Sequence, residues 1–314
     1  MPSLAVLLVP LFGTIAVGAA VRGFRLFDAE DARRFSRFVF MVAMPVAGFD
    51  FLRQSDPPTD ILLGMGSAYL IGLIITAGSA FIISRNILGL TVREAGAAVF
   101  ASTCGNAIFL GIPIALAVPQ WTAPFFMLII FEGTFVFAIG TALMTWPEGD
   151  GATERLVQSG LGAIGRAIRN PIIIGTLLGL GASVFDVPVP EPFAELFGFM
   201  SRIVGPVGLF VLGISIVDIV AKGELGGVKA PLLLIPMKLV VFPAVTGGLV
   251  WLFTNDSGAT AAAMLFTGLP SAVASIVLSN VYGQWQSGVT ALVGIGSLCG
   301  LMTLLLFLLV AIPS

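Results

Sequence analysis

Ten apolar runs, each about as long as a membrane is thick, divide almost the whole sequence. A helix needs about 20 apolar residues to cross the hydrocarbon core of a bilayer. Only 10% of the residues are charged, against about 25% in soluble domains. The runs lie at 3–21, 35–52, 61–84, 94–119, 122–146, 168–185, 197–218, 230–253, 258–281 and 286–312. They predict an all-α integral membrane protein with ten transmembrane helices.

Basic residues gather in the loops that follow the odd-numbered spans. They are Arg22, Arg25, Arg33, Arg34, Arg37, Arg85, Arg93, Arg155, Arg166, Arg169, Lys222 and Lys229. The loops on the other side hold only Arg53 and Arg202. Since cytoplasmic loops carry an excess of Lys and Arg, we predict that the odd loops are cytoplasmic. Both termini then lie outside the cytoplasm, and the membrane is the cell (inner) membrane of a bacterial-type cell.

The chain lacks the residues of common catalytic and metal sites. Histidine is absent, and cysteine occurs only at Cys104 and Cys299, both in apolar runs. This excludes His-based metal sites and Ser-His or Cys-His catalysis. The net charge is −2 with no basic stripe, so nucleic acid is not expected as a partner. We expect no enzymatic activity, no metal and no cofactor.

The two halves of the sequence resemble each other. Pro10 and Pro45 are 35 residues apart, as are Pro171 and Pro206, and Phe109–Pro113 recurs as Phe266–Pro270. A repeat of five spans places its second copy upside down, which is typical of secondary transporters. We predict a first five-helix repeat at 1–146, a cytoplasmic linker at 147–167 and an inverted repeat at 168–314. Chance similarity is the alternative, because Gly-x-Pro is common in apolar sequences.

A Gly-x-Pro motif falls in the middle of spans four and nine. The first is Gly111, Ile112 and Pro113, and the second is Gly268, Leu269 and Pro270. Proline removes a backbone donor and clashes with the preceding turn. We expect each helix to break there, with a half-helix beginning at each proline and its positive end at the midplane. Two simple proline kinks are the alternative.

Three segments resemble the auxin efflux carrier family, which includes plant carriers and bacterial members associated with malonate and similar acids. They are Pro10–Leu52, which includes Arg37–Val39 and Pro45–Phe51, the run from Asn106 to Pro113, and the run from Gly268 to Tyr282. The resemblance implies a fold like that of bile-acid sodium symporters, in which broken helices four and nine cross. It also implies a dimerising scaffold of helices one, two, six and seven, and elevator-type movement of the others. Organic anions would bind at the crossing.

The sequence also departs from the plant members of that family. Gly48 and Asp50 stand where plant members carry Ser and His. The long cytoplasmic loop of the plant carriers is missing. We therefore expect a carboxylate smaller than auxin as substrate.

Three ionisable residues lie inside predicted spans, where they are costly and usually functional. Glu132 is a candidate proton carrier or cation ligand, or else a protonated acid in a structural hydrogen bond. Lys238 is a candidate for binding a substrate carboxylate or pairing with an acid, or else it extends to the interface. Asp50 either pairs with Arg53 three residues away or lines an outward vestibule.

Asn106 is the strongest candidate for binding the substrate. Its amide can donate to a carboxylate and accept from a backbone amine, although asparagine also joins membrane helices by hydrogen bonds. Ser271 is expected to contribute at the second motif. Ser102, Thr103 and Ser275 are weaker candidates near the same motifs.

The sequence therefore predicts a secondary active transporter of small organic anions, with protons or sodium as coupling ions. Its expected partners are the anion, membrane lipid and a second copy of the chain. A cation–proton antiporter of related fold is the alternative, although paired acids at mid-membrane are missing. An intramembrane enzyme lacks its catalytic residues here, and a channel lacks a filter motif or pore charge ring.

Overall fold

The computed structural model describes residues 4–54, 59–146, 171–222 and 229–311, nearly all of them helical. The predicted linker 147–167 lies outside the described residues. The α-helices of these ranges are α1 Leu4–Gly23, α2 Ala29–Phe38, α3 Met44–Arg53, α4 Thr59–Asn86, α5 Val92–Thr103, α6 Ile112–Ala117, α7 Pro119–Phe131, α8 Phe137–Met144, α9 Pro171–Val184, α10 Glu191–Lys222, α11 Lys229–Pro236, α12 Phe242–Thr254, α13 Ser257–Gly268, α14 Ala274–Tyr282 and α15 Gln286–Ala311. The π-helical turns are π1 Val39–Ala43, π2 Ala107–Gly111, π3 Glu132–Val136 and π4 Met237–Val241.

Six helical stretches of the described chain are long and apolar enough to cross a membrane. They are Ala29–Arg53, Leu63–Asn86, Pro119–Met144, Glu191–Asp218, Lys229–Thr254 and Gln286–Ala311. Shorter apolar helices lie at Phe12–Gly23, Ala107–Ala117 and Pro171–Val184. The predicted all-helical class is confirmed, and several segments suit a bilayer by length and composition.

Three of the π-helical turns accommodate a proline. Pro45, Pro113 and Pro243 each follow, by two residues, the end of π1, π2 or π4. A proline ring clashes with the carbonyl four residues earlier, and in each case that carbonyl lies in the π turn. The wider turn makes room for the ring, so these helices continue through their prolines without a break.

Two pairs of helices approach so closely that their backbones touch at glycine. α1 packs along α10, where a methyl group on Gly213 would lie 2.1 Å from the carbonyl oxygen of Ile15. α3 packs along α9, where a methyl group on Gly175 would lie 2.2 Å from the carbonyl oxygen of Pro45. Small residues allow this close packing between membrane helices. Each pair therefore depends on the absence of a side chain at its glycine.

Three polar contacts join helix ends that are distant in the sequence. Arg22 forms an ion pair of 2.7 Å with Asp218, joining the end of α1 to that of α10. Arg93 donates through Nε to the carbonyl oxygen of Trp146 at 2.8 Å. The Lys229 ammonium lies 3.5 Å from the carbonyl oxygen of Ile87. Each contact involves a basic residue of a loop that is predicted to be cytoplasmic.

Candidate functional site

Two interrupted helices meet inside the protein. α5 ends at Thr103, and the helical path resumes at Ala107; α13 ends at Gly268, and α14 begins at Ala274. The backbone N–H of Asn106 donates to the carbonyl oxygen of Pro270 at 2.8 Å, and that of Ala272 donates to Cys104 at 3.1 Å. Gly105 and Ser271 thereby form an antiparallel bridge. We call the two interrupted segments, 104–106 and 269–273, the crossing.

The first interruption does not lie at the proline motif, and the prediction for Gly111, Ile112 and Pro113 is wrong on this point. Gly111 closes π2, and Ile112 and Pro113 begin α6. Because π2 accommodates the proline, no break is needed there. At the second motif, Leu269 and Pro270 do lie in the interruption, although α14 starts four residues after the proline.

Lys238 joins the two helix ends at the crossing. Its ammonium donates to the carbonyl oxygen of Thr103 at 3.3 Å and to that of Thr267 at 3.0 Å. These carbonyls belong to the last turns of α5 and α13, which carry partial negative charge. The side chain is 1% exposed, so it does not extend to the membrane interface. One buried cation therefore stabilises both C-terminal ends.

Glu132 also contacts the crossing, at Gly105. It is the first residue of π3 and is buried. Its Oε2 accepts a hydrogen bond of 3.0 Å from the backbone N–H of Gly105, and its Oε1 lies 3.9 Å from the Cys104 thiol. A methyl group on Gly105 would lie 3.2 Å from the Lys238 ammonium. Gly105 thus separates a buried acid from a buried base, and each reduces the cost of burying the other.

The polar side chains at the crossing divide into those with a partner and those without. Ser271 donates to the carbonyl oxygen of Ala101 at 2.6 Å. Ser102 and Ser275 are buried, and their hydroxyl groups find no partner in the part of the chain that the structure describes. The Asn106 side chain, 5% exposed, likewise makes no hydrogen bond with a described residue. Buried polar groups normally have partners, so these three are free to bind a polar ligand.

The crossing also presents two helix N-termini. π2 begins at Ala107, directly after Asn106, and α14 begins at Ala274. The first amides of a helix have no partner within it and carry partial positive charge. Lys238 donates to carbonyl groups at the two negative C-terminal ends. The positive N-terminal ends remain available to an anion.

Residues 4–308 match the model of a family described as "Membrane transport protein". The chain belongs to this family. It is also 27% identical over 320 residues to a protein of Rhizobium meliloti (strain 1021) described as "Putative malonate transporter", with 96% of this chain and 94% of the relative covered. The resemblance to auxin efflux carriers is thereby confirmed. The chain is a multi-pass membrane transport protein, in a family of transporters rather than enzymes.

One predicted site residue of this transport protein lies elsewhere. Asp50 accepts from Arg53 at 2.7 Å and from the amide of Gln54 at 3.0 Å. Its other oxygen lies 3.5 Å from the hydroxyl group of Ser201 on α10. The predicted pair with Arg53 is present but buried, with the Asp50 side chain 4% exposed. The structure therefore brings Asn106, Glu132, Lys238 and Ser271 together without Asp50.

Sequence reasoning missed Gly105 and Tyr69 of the transport protein. A Gly next to an Asn inside an apolar run indicates an interruption of the helix. Gly105 and Asn106 form such a pair and lie in the first interruption. Tyr69 on α4 is fully buried among the rings of Phe131, Phe242 and Phe266. Its hydroxyl group has no partner among the described residues. A tyrosine within an apolar span gives only a weak signal.

Ser271→Ala should lower the free energy of unfolding of the transporter by about 1–2 kcal/mol, because the carbonyl of Ala101 loses its buried donor. Ser275→Ala is the matched control and should leave stability unchanged, since its hydroxyl group has no partner among the described residues. Thermal unfolding in detergent micelles measures both. Equal losses in the two variants would contradict the assignment of a structural role to Ser271 alone.

Proposed function

We propose that this membrane transport protein is a secondary active transporter of small organic anions, with a carboxylate bound at the crossing. The observation that carries the proposal is the pair of helix N-termini beside the unpaired amide of Asn106. Such a site attracts negative charge through backbone dipoles and donates hydrogen bonds through side chains. The relative described as a malonate transporter supports a small carboxylate.

The proposed architecture is ten spans in two inverted repeats of five. The packing of α1 with α10 and of α3 with α9 pairs span one with span seven and span two with span six. A repeat of five spans maps span one onto span six and span seven onto span two, so it converts one of these pairs into the other. Span three packs along span eight, as α4 along α12, which the same symmetry maps onto itself. The contacts therefore support two inverted halves.

The closest backbone-to-backbone packing supports the proposal of an elevator-type mechanism. The backbone contacts at Gly213 and Gly175 lie within spans one, two, six and seven, which form the proposed scaffold. The crossing belongs to spans four and nine, with Lys238 on span eight and Glu132 on span five. We infer that these spans move as one body against the scaffold and carry the bound anion with them.

The proposed ligands of the carboxylate are an amide and a hydroxyl group that have no partner among the described residues, together with two helix N-termini. The amide of Asn106 and the hydroxyl group of Ser275 donate to its oxygens, and the first amides of π2 and α14 stabilise its charge. Leu269, Pro270 and Gly111 shape the site, since a methyl group on Gly111 would lie 2.6 Å from Leu269 Cδ1. Ser271 stabilises the backbone through Ala101.

Glu132 is the proposed site of coupling to protons or sodium. An ionised carboxylate beside the site repels an anionic substrate, and a bound proton or sodium ion removes that repulsion. Glu132 contacts the backbone of the crossing at Gly105, so a change in its charge acts directly on the interruption. Lys238 compensates the carboxylate when no ion is bound.

The buried acid at the crossing also favours a second candidate, a cation–proton antiporter. Such a protein exchanges ions without an organic acid, whereas the proposed carrier requires one. The two candidates therefore differ in whether an acid is needed for any ion movement.

Further proposals concern the surroundings of the transporter. Basic residues at the end formed by the odd-numbered spans support an orientation in the cell (inner) membrane with both termini outside the cytoplasm. A homodimer joined through the scaffold, surrounded by lipid, is proposed from the family resemblance.

Asn106→Ala should abolish binding of malonate and similar acids while leaving the transporter folded, because the substrate loses its amide donor. Asn280→Ala is the matched control, since Asn280 is exposed on α14. Acid-dependent thermal stabilisation of the purified protein measures binding, and size-exclusion elution checks the fold. Unchanged acid affinity in Asn106→Ala would remove Asn106 from the site.

Glu132→Gln should uncouple transport, because glutamine keeps an oxygen for the Gly105 N–H but carries no charge. Exchange of labelled acid across proteoliposome membranes should continue, while a proton or sodium gradient should no longer drive accumulation. Glu195→Gln, on an exposed part of α10, should retain gradient-driven accumulation. Wild-type accumulation in Glu132→Gln would leave this residue only a structural role.

A further inference from the structure

The hydroxyl group of Tyr69 is a buried polar group to which the proposed function assigns no role. Tyr69 lies on α4 and is fully buried. Its hydroxyl group makes no hydrogen bond with a described residue. Burying a hydroxyl group without a partner costs free energy, and such a group in a native protein requires an explanation, such as a bound water, an ion or a chemical role. The surroundings of Tyr69 indicate which explanation applies.

Three aromatic rings from α7, α12 and α13 enclose Tyr69. Their centroids lie 5.8 to 6.2 Å from that of Tyr69, and they belong to Phe131, Phe242 and Phe266. Phe131 directly precedes Glu132. The Lys238 ammonium lies 5.2 Å from the centre of the Phe242 ring. Tyr69 is therefore packed against the residues that position the buried acid and the buried base of the crossing.

Tyr69 also interacts electrostatically with the acid. The partners of this interaction are the carboxyl group of Glu132 and the thiol group of Cys104. Oε2 of Glu132 accepts the hydrogen bond from Gly105, whereas Oε1 has the Cys104 thiol at 3.9 Å as its contact. A carboxylate oxygen has two lone pairs, so Oε1 can accept a further hydrogen bond. The unpaired hydroxyl group of Tyr69 is a donor that meets this need.

The groups around Glu132 suit a proton better than a metal cation. The titratable groups that interact with Glu132 in the described chain are Lys238, Cys104 and Tyr69. A methyl group on Gly105 would lie 3.2 Å from the Lys238 ammonium, and the same residue donates to Glu132. A metal ion at the carboxylate would thus lie close to a second positive charge. Hard cations also require several oxygen ligands, whereas the described neighbours of Tyr69 are phenyl rings.

We propose that the coupling ion is a proton carried by Oε1 of Glu132, and that Tyr69 is the hydrogen-bonding partner of this carboxyl group, directly or through one water molecule. The proposal rests on the proposed function, in which Glu132 couples an ion to anion transport. The Tyr69 hydroxyl group donates to the ionised carboxylate and accepts from the protonated acid. Water on one side of the membrane supplies the proton, and water on the other side receives it.

This arrangement couples the proton and the anion in the same direction. Ionised Glu132 and Lys238 together carry no net charge, whereas protonated Glu132 leaves the ammonium uncompensated. A substrate carboxylate restores neutrality, so the protonated transporter binds the anion more tightly. Tyr69 is a positioning residue, because it acts on Glu132 and not on the substrate.

Tyr69→Phe removes the hydroxyl group and keeps the ring, so thermal unfolding should be unchanged. In proteoliposomes, the pH dependence of labelled-malonate uptake should shift to higher pH by about one unit, because the ionised carboxylate loses a donor and gains its proton more readily. Tyr282→Phe is the matched control, since Tyr282 is the other tyrosine of the chain and ends α14. It should keep the wild-type profile. A wild-type profile in Tyr69→Phe would overturn the proposal.

A double variant tests whether Tyr69 acts through Glu132. In the Glu132→Gln background, exchange of labelled malonate should be the same with and without Tyr69→Phe, because the carboxyl group on which Tyr69 acts is gone. A further loss of exchange in the double variant would indicate that Tyr69 contacts the substrate or supports the packing. That result would overturn its role as the partner of Glu132.

The driving ion separates this proposal from the function on which it rests. A pH gradient, acidic outside, should drive accumulation of labelled malonate without sodium, and a sodium gradient at equal pH should not. Liposomes without protein give the passive background. Accumulation that requires the sodium gradient would overturn the proton and leave the anion carrier intact. Absence of exchange of malonate and similar acids under every gradient would overturn the carrier, and this proposal with it.

Discussion

The ammonium of Lys238 is the contact on which the crossing depends. Two helices interrupted in a membrane protein leave carbonyl groups that lipid cannot satisfy. Lys238 donates to the last turns of both helices, at Thr103 and Thr267. The hydrogen bonds between Asn106 and Pro270 and between Ala272 and Cys104 join the interrupted segments directly. Irregular backbone is thus possible at this depth because protein groups surround it.

The same arrangement determines which charges remain for function. Lys238 serves the negative helix ends, so the positive ends at Ala107 and Ala274 stay open to a ligand. Glu132 accepts a hydrogen bond from the backbone N–H of Gly105 between them and places a carboxyl group close to the proposed site. In an anion carrier of this kind, the helix dipoles attract the substrate. Only the charge of Glu132 has to be neutralised when the substrate binds. Both properties arise from breaking two helices at the same point.

Much of this could be predicted from the sequence. Hydrophobic runs predicted the all-helical class and several segments long enough to cross a membrane. The interruption at Leu269 and Pro270 was predicted because that proline lies within it. The interruption at Gly105 was not predicted, because the Gly-x-Pro motif indicates a break at Pro113, where a π turn accommodates the proline ring.

The sequence indicates which charged residues inside the spans are functional candidates, but it does not predict which groups they contact. Lys238 lies on a span whose pattern is compatible with both a buried and an interfacial ammonium. Its carbonyl partners come from two helices distant in sequence, and only packing brings them together. The pair of Asp50 with Arg53 followed from their spacing of three residues, but its burial against α10 did not. Local patterns predict contacts within a helix, while contacts at the crossing depend on the whole fold.

Charge movement in proteoliposomes, recorded with a panel of mono- and dicarboxylates, tests the crossing as an anion site most directly. Each acid is applied with and without sodium and at two pH values. An organic-anion carrier should give a saturable signal that requires one class of acid. Signals produced by sodium or pH steps alone, with no acid required, would contradict an organic-anion carrier and indicate a cation–proton antiporter.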